Sequence, residues 1–597
     1  MGATPEDEKI LMHSVLDYEK KPVHVYLTPT KLVIENNARP RCHDDTNDSL
    51  ALGFQPSSRF ISHVINLKEV IAVRSERRLQ NKEDKLSLNP FQDSSLLQAN
   101  KSQTTKAFYV YVIKRVSKHK WRHKICHFVS KDYGTCHLWI DKITEILRNP
   151  EWKRPKRLLV FINPVGGKRR GPQIFNEKVR PLFDLAGIYT EVVITKRQFH
   201  ARDMIYEYDL QTVDGLVSVG GDGTFSEVLN GLLDRVNSEA GVEQTFRHSP
   251  KSPSLRIGII PAGSTDAVVY SLAGINDPIT SALQIILGDS IGMDVTAIYK
   301  KEEFIKYTVT MLGYGYYGDL LKESESLRWM GPKRYTWSGF KAFVANKAYE
   351  GEVSFLLASE EDSHPRDRNV CYAGCEKCKK SVVKNSQAIS GKDNFLEYDL
   401  GGASEALPST KRASYMMKDG WHRVKGRFCA INLVTISCRC ALSPTGMSPS
   451  SHLGDGCMDL ILIQDCSRVQ YLRHLIRIPD AKADQFDFDF IQVYRVKEFS
   501  FQPASEPEDA DEGEGQDRNG CIIKMTGHTR LASDSNLHSI WNCDGEVFNH
   551  PSLYAQVHCQ LISLFARGVE EHSKEETLIH CPSCCSSCEN DKHDIPE

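Results

Sequence analysis

Short β-branched and aromatic runs divided by polar stretches open the chain. Val23 to Leu27, Lys31 to Ile34, Val64 to Val73, Phe108 to Val112 and Lys124 to Val129 read as strands, with Asn81 to Thr105 among the polar separators. The apolar period then becomes helical, which puts Cys136, Trp139, Ile143 and Leu147 on one face. Residues 10–149 therefore predict a mostly antiparallel sheet closed by one helix.

A different alternation follows. Arg157 to Asn163, Glu191 to Thr195, Gly215 to Val219 and Arg256 to Ile260 read as strands about 30 residues apart, with helical spacing between them. That pattern predicts βαβ units and a parallel sheet over residues 155–292. From Met293 the helices give way to extended runs, Phe304 to Leu312, Phe428 to Ile436, Leu460 to Ile463 and Val557 to Phe565. They predict a second, largely antiparallel β unit over residues 293–570, with insertions at 359–418 and 503–535. Pro503 to Asn519 is rich in Glu, Asp and Gly and reads as disordered, as does the Cys-rich tail 571–597. The fold class is multidomain α+β, and a ligand site is expected in the cleft between the α/β and β units. There is no internal repeat.

Bulk properties narrow the class. A chain of 597 residues is too long for one core. A net charge of −2 gives no overall field toward nucleic acid or anionic lipid, so no nucleic-acid partner is expected and any lipid attraction must be local. No apolar run reaches the length of a membrane span and no signal peptide opens the chain. Gly2 is placed for myristoylation, but Glu6 stands where Ser or Thr is wanted. Eighteen cysteines diluted in a chain without a leader predict reduced thiols or a metal site. The expectation is a cytoplasmic protein attached peripherally to membranes.

The strongest chemical signal is Asp214-Gly-Leu-Val-Ser-Val-Gly220-Gly221-Asp222-Gly223-Thr224-Phe-Ser-Glu227, a strand that ends in glycines and enters a helix. Such glycines let backbone amides approach an anion, and the helix start adds its dipole. Asp222 is discordant, because a carboxylate repels phosphate unless it has a task such as taking a proton. A structural Asp in a tight turn is the plain alternative. A second strand-end loop is Asn163-Pro164-Val165-Gly166-Gly167-Lys168, which lacks the Gly-x4-Gly-Lys-Ser/Thr of a P-loop. The third is Pro261-Ala262-Gly263-Ser264-Thr265-Asp266. All three fall at the carboxyl edge of the parallel sheet, where ligands bind.

Other elements are weaker. Gly313-Tyr-Gly315-Tyr-Tyr-Gly318 matches a dinucleotide fingerprint, but Lys333 and Arg334 stand where an acid is needed and no βαβ unit opens. Arg328, Lys333 and Arg334 are candidate phosphate clamps or a solvated helix end. Asp544 and Glu546 are candidates for Mg²⁺ or nucleotide contact, or members of a plain turn. The stretch Lys114, Arg115, Lys118, His119, Lys120, Arg122, His123, Lys124 is either an anionic-lipid site or a solvated hairpin loop.

Taken in order, NPVGG, GGDGT, IPAGSTD, LGYGYYGD and CDGE between Arg157 and Arg567 resemble the diacylglycerol kinase catalytic superfamily, which includes sphingosine and ceramide kinases. The first unit resembles a pleckstrin-homology domain. With GSTD at Gly263 to Asp266, Cys371-x3-Cys375-x2-Cys378, WNCDGEV and VHCQLISLFARG, it narrows the resemblance to the ceramide kinase branch. The resemblance implies an ATP-dependent lipid kinase that phosphorylates the primary hydroxyl of ceramide. By match to the family motifs, Asn163, Pro164, Val165, Thr195, Glu227, Gly263, Ser264, Thr265, Arg328, Arg334, Asp544, Gly545 and Glu546 line the ATP site. Gly220, Gly221, Asp222 and Gly223 face the lipid, with Asp222 as general base and Mg²⁺ on the ATP phosphates.

Sphingosine kinases carry an acid at the position of Leu321, and its absence here suits an N-acylated lipid without an amine cation. A diacylglycerol or sphingosine kinase, and a catalytically silent lipid-binding scaffold, remain the alternatives. Cys371, Cys375 and Cys378 are candidate metal ligands, with Cys429, Cys438 or Cys440 as the fourth. The tail cysteines Cys581, Cys584, Cys585 and Cys588 are metal or palmitoylation candidates in a disordered end. Family relatives are linked to calcium and calmodulin, which makes Arg468 to Arg477 a candidate calmodulin site, a buried helix being the alternative. Golgi and plasma-membrane association is the family expectation.

Overall fold

A computed structural model describes residues 8–36, 61–76, 106–331, 333–359, 364–381, 415–416, 420–504 and 538–571. The acidic stretch beyond Ala504, residues 382–414 and the tail cysteines lie outside the described residues.

The first unit is a seven-stranded antiparallel sheet. Its strands run, in spatial order, Ile61–Asn66, Lys31–Asn36, Lys21–Leu27, Met12–Tyr18, Lys120–Val129, Ala107–Ser117 and Val70–Ser75. Helix Tyr133–Leu147 closes it, started by the Asp132 carboxylate, which accepts from the Thr135 amide. Cys136, Trp139 and Ile143 face inward as the spacing predicts, while Leu147 is only partly buried. Trp139 stacks near Phe108 and donates its indole N–H to Ser14. The run Val64 to Val73 is two strands, because Leu67–Glu69 turns under an Asn66 cap.

The basic stretch is not a loop. Lys114 and Arg115 end one strand, Arg122 and Lys124 belong to the next, and the turn between them is tight. Arg115 bridges Glu69 and Glu570, and Arg122 pairs with Asp277 at 2.7 Å. Both cations therefore fasten the first unit to the rest of the chain. Beneath them, Ile71, Ile113 and Trp121 share a core with Leu182, Phe183 and Leu283.

The four predicted parallel strands lie side by side in the order Arg256–Pro261, Gly215–Gly220, Arg157–Ile162, Tyr189–Ile194. Alternate side chains feed two cores: Leu159 and Phe161 point to one, Leu158, Val160 and Ile162 to the other. Helix Asp222–Glu239 covers the first face and helix Pro278–Leu287 the second.

The antiparallel unit begins at strand Ser290–Lys300, slightly before Met293. Its last strand, Leu553–Phe565, pairs with Ser290–Lys300 and also meets the parallel sheet through Ile257 and Leu564. The two sheets are thus continuous. The run Phe304 to Leu312 is split into Glu303–Thr308 and Met311–Gly315. Part of the first insertion, residues 364–381, is folded, with Cys371 buried in the core. Among the described residues no helix is long and apolar enough to cross a membrane.

Candidate active site

Backbone proximity at the carboxyl edge of the parallel sheet brings the three glycine loops into contact. A Cβ on Gly167, whose φ is +55°, would sit 2.5 Å from the Ala262 carbonyl oxygen. A Cβ on Gly263 would sit 2.5 Å from the Cα of Gly221. Only glycine permits this convergence. Asn163 joins the first loop to the second by donating its side-chain N–H to Thr224 Oγ1 at 3.0 Å. Its carbonyl oxygen accepts from the amides of Val165 and Gly166, so the loop is preformed. Pro164 and Gly166 are half-buried and Val165 is exposed. Thr195, at the end of the neighbouring strand, is fixed by its amide on the Ile162 carbonyl.

Asp222 is the first residue of its helix and half-buried. Its two carboxylate oxygens accept from the amides of Ala267 and Val268 at 3.0 and 3.1 Å. Asp222 thereby starts the helix Ala267–Ala273, whose own N-cap makes no side-chain bond. Each oxygen retains a lone pair, so the group is oriented without being used up. Burial raises its pKa, and the charge of Asp544 from the antiparallel unit adds to the rise.

Asp266 was part of the GSTD motif but not among the residues expected to act. It is 3% exposed, with φ +52°. Its carboxylate accepts from the Gly263 amide and the Asn276 side chain. Burial and the neighbouring Asp222 push it up to about 7. The signal for it in the sequence was an acid within reach of a glycine turn that already held another.

The antiparallel unit reaches the same cleft. Asp544, with φ +51°, accepts from the amides of Val309 and Thr310 and from the Thr310 hydroxyl. Those amides are free because the strand breaks there. Gly545 turns the chain with φ +83°, and Glu546 pairs with Lys306 at 2.5 Å. Glu227 caps helix His200–Glu207 by accepting from Ala201 at 2.7 Å; burial raises its pKa, and Glu546 adds to the rise. Cys438 feels the charges of both Asp544 and Asp222, and Ser437 and Arg439 bond to Ser271. Asn230, on the helix that begins at Asp222, donates to the Tyr307 carbonyl and accepts its amide, locking the two units together.

Not every expected residue joins this cluster. Arg334 is held by Glu325 at 3.7 Å and donates to the Tyr335 hydroxyl, within the paired helices Tyr316–Ser326 and Lys333–Ala345. Arg328 lies in the short turn between them. The rejected fingerprint ends an antiparallel strand at Gly315, whose φ is +76° against Cys429, and opens the helix Tyr316–Ser326. Leu321 is 2% exposed, and Asp319 is engaged by Tyr349 and Ser539. The helix Arg468–Arg477 buries Tyr471 and His474 on one side and exposes Val469, Leu472 and Ile476 on the other. Cys429 faces Cys466 and Cys438 faces the cleft, and neither they nor Cys440 belong to the Cys371–Cys375–Cys378 cluster; the fourth group there is His452.

Family models match three stretches of the chain: the ceramide kinase PH domain over residues 12–143, the diacylglycerol kinase catalytic domain over 157–298, and the ceramide kinase C-terminal domain over 309–585. A ceramide kinase of Homo sapiens is 45% identical over 473 residues, which is 79% of this chain and 84% of that protein. A ceramide kinase of Arabidopsis thaliana is 32% identical, covering 75% of this chain and 79% of that one. A human ceramide kinase-like protein is 26% identical over 85% of this chain and 83% of its own.

Proposed function

The chain belongs to the ceramide kinase family, and from that premise we propose that Asp222 takes the proton as the primary hydroxyl of ceramide attacks the γ-phosphate of ATP. The chain is an ATP-dependent lipid kinase whose product is ceramide 1-phosphate; neither a diacylglycerol or sphingosine kinase nor a silent scaffold is favoured. The observation that carries the reading is the Asp222 carboxylate, fixed by two amides where three glycine loops meet and with its pKa raised by burial. A base held in one orientation with a pKa nearer neutrality suits proton abstraction from an alcohol.

ATP lies over Asn163 to Val165, Thr195 and Gly263 to Thr265 in this proposal, with the exposed Lys168, Arg169 and Arg170 beside its phosphates. Asp544, Gly545 and Glu546 close the opposite wall. The acidic groups nearby already have partners, so the residues fit a Mg²⁺ carried on the ATP phosphates better than an all-protein cage. When bound, Mg²⁺ supplies neutralisation of phosphate charge. Arg334, held by Glu325, reaches ATP in this proposal when its helical pair closes on the cleft.

Leu321 supports the choice of lipid. An acid at this buried position would need a cation, and ceramide has none. Trp329 in the turn and Trp337, Phe340 and Val344 on the helix Lys333–Ala345 are exposed beside Lys333 and Lys341, a surface suited to the bilayer that holds the substrate. The pleckstrin-homology domain joins it through Lys114 and Lys118, which contact anionic headgroups. Calcium enters through calmodulin on the exposed face of helix Arg468–Arg477, which also carries Arg468 and Arg473. Membrane attachment at Golgi or plasma membrane follows the family expectation.

The test offers the full chain labelled ATP with ceramide, sphingosine and diacylglycerol in parallel mixed micelles. Label is expected in ceramide 1-phosphate; label confined to sphingosine phosphate or phosphatidate sinks the assignment.

A further inference from the structure

Away from the cleft, three sulfurs and an imidazole converge where the folded part of the first insertion meets the loop before strand Met458–Gln464. The Sγ atoms of Cys371, Cys375 and Cys378 and a ring nitrogen of His452 all lie within 4.8 Å of one another. Cys371 and Cys378 are 3.8 Å apart, and Cys375 Sγ is 3.2 Å from His452 Nδ1. A tetrahedron with metal–sulfur bonds of about 2.3 Å has edges of about 3.8 Å, so this spacing needs little rearrangement to receive an ion. No disulfide joins these thiols.

We propose that Cys371, Cys375, Cys378 and His452 bind one Zn²⁺ in a closed, four-coordinate structural site. The donor set is three soft thiolates and one imidazole, which selects Zn²⁺ over Mg²⁺ or Ca²⁺. Four protein ligands leave no position for water or substrate, so the site is structural and not part of the phosphate transfer. Binding converts each thiol to a thiolate and releases its proton, which leaves the centre with a net charge of −1. Arg439, half-buried and close enough for its charge to couple to Cys371, offsets that charge.

The second shell is consistent with a metal centre. His452 is 2% exposed and its Nε2 is buried with no hydrogen-bond partner. Asp455, whose Oδ2 is ion-paired with the buried Arg495 at 3.7 Å, also couples electrostatically to His452.

The site also has a mechanical purpose. The segment that carries the cysteines is also tied to its surroundings: Ala373 donates its amide to the Val569 carbonyl, Gln560 holds the carbonyls of Cys378 and Gly454, the Ser381 hydroxyl donates to the Asp455 carbonyl, and Arg366 pairs with Asp484. His452 lies at the far end of the loop that begins at Ser437 and Cys438, beside Asp222 and Asp544. A metal that pins His452 to the insertion braces one wall of the cleft from behind.

Full-length protein purified under reducing conditions without chelator should carry about one Zn²⁺ per chain by elemental analysis. A mercurial reagent should release it, detected with a zinc-binding dye. Exchange for Co²⁺ should give the sulfur-to-metal charge-transfer and visible d–d bands of a tetrahedral centre. Cys375→Ser and His452→Ala should lose the metal, whereas His452→Cys should keep it and strengthen the charge-transfer band. Cys440→Ser should leave the content unchanged. Since the first two variants risk misfolding, the His452→Cys spectrum is the decisive arm. Metal-free wild type, an unaltered Co²⁺ spectrum in His452→Cys, or a Cys371–Cys378 disulfide in a non-reducing peptide map would overturn the proposal.

Discussion

Asp222 and Asp266 face the same confined space with opposite supports. Asp222 holds two helix amides, whereas Asp266 holds one amide and one side-chain amide and is the more buried. Two carboxylates so close do not ionise independently. If Asp222 must be ionised to act, kcat/KM falls on the acid side at a pH above the ordinary carboxylate range. The charge of Asp222 is part of what raises Asp266, so Asp266 is still protonated where Asp222 ionises. Asp266→Asn should leave that acid limb nearly in place, and a large displacement of the limb in a pH–rate profile would contradict this order of ionisation. Stability carries a separate signature. A folded pKa of about 7 against 3.8 means the folded state holds a proton that the unfolded state releases over that interval. Stability therefore declines as pH rises from about 4 to 7, by at most on the order of 4 kcal/mol. Asp266→Asn should flatten the dependence of Tm on pH across this window. The importance of Asp222 was legible because a carboxylate among phosphate-binding glycines demands a reason. Asp266 makes no such demand, because the hydroxyls and glycine amide of its motif already account for a phosphate loop. His452 was invisible for another cause: 74 residues separate it from Cys378, and only the fold closes that distance.

At the level of elements, the strands of the parallel sheet were written plainly, since burial on both faces leaves continuous apolar runs. The antiparallel runs were harder. Phe304 to Leu312 looks unbroken, yet Val309 and Thr310 leave the ladder to donate to Asp544, a partner more than 230 residues away. That interruption carries the site. Asp544→Ala should leave two buried amides unsatisfied and lower stability by about 3 kcal/mol, read from the denaturant midpoint. Asp544→Asn, which keeps an acceptor oxygen, should lose less than half as much. In the first unit, Trp139→Ala should cost about 3–5 kcal/mol, because the side chain is fully buried and its indole N–H is engaged.

Across the whole molecule, the first unit is fastened rather than tethered. Glu570, near the end of the described chain, accepts from Arg115 and from the indole of Trp121, 455 and 449 residues earlier. Arg567 joins Glu69 from the same side at 3.0 Å. No local pattern announces such pairs, which is why the basic stretch read as a uniform patch. The structure divides it into interface cations, Arg115 and Arg122, and exposed ones, Lys114 and Lys118. Lys114→Glu with Lys118→Glu should weaken sedimentation with anionic vesicles while leaving Tm nearly unchanged. Arg122→Glu should instead lower Tm, since it meets Asp277 with like charge. Equal effects of the two changes on both readouts would contradict this division.

The central claim is that Asp222 serves the chemistry and not merely the turn. The most direct measurement is single-turnover transfer of labelled phosphate from ATP to ceramide by Asp222→Asn, with ATP affinity measured on the same sample. The side chain of the variant is nearly isosteric and still offers an oxygen to the Ala267–Ala273 helix. ATP binding should stay close to wild type and Tm should fall only modestly, since one of the two helix amides loses its acceptor, while the transfer rate falls by about 10²–10⁴-fold. A transfer rate within a few fold of wild type, with ATP binding intact, would show that the proton goes elsewhere.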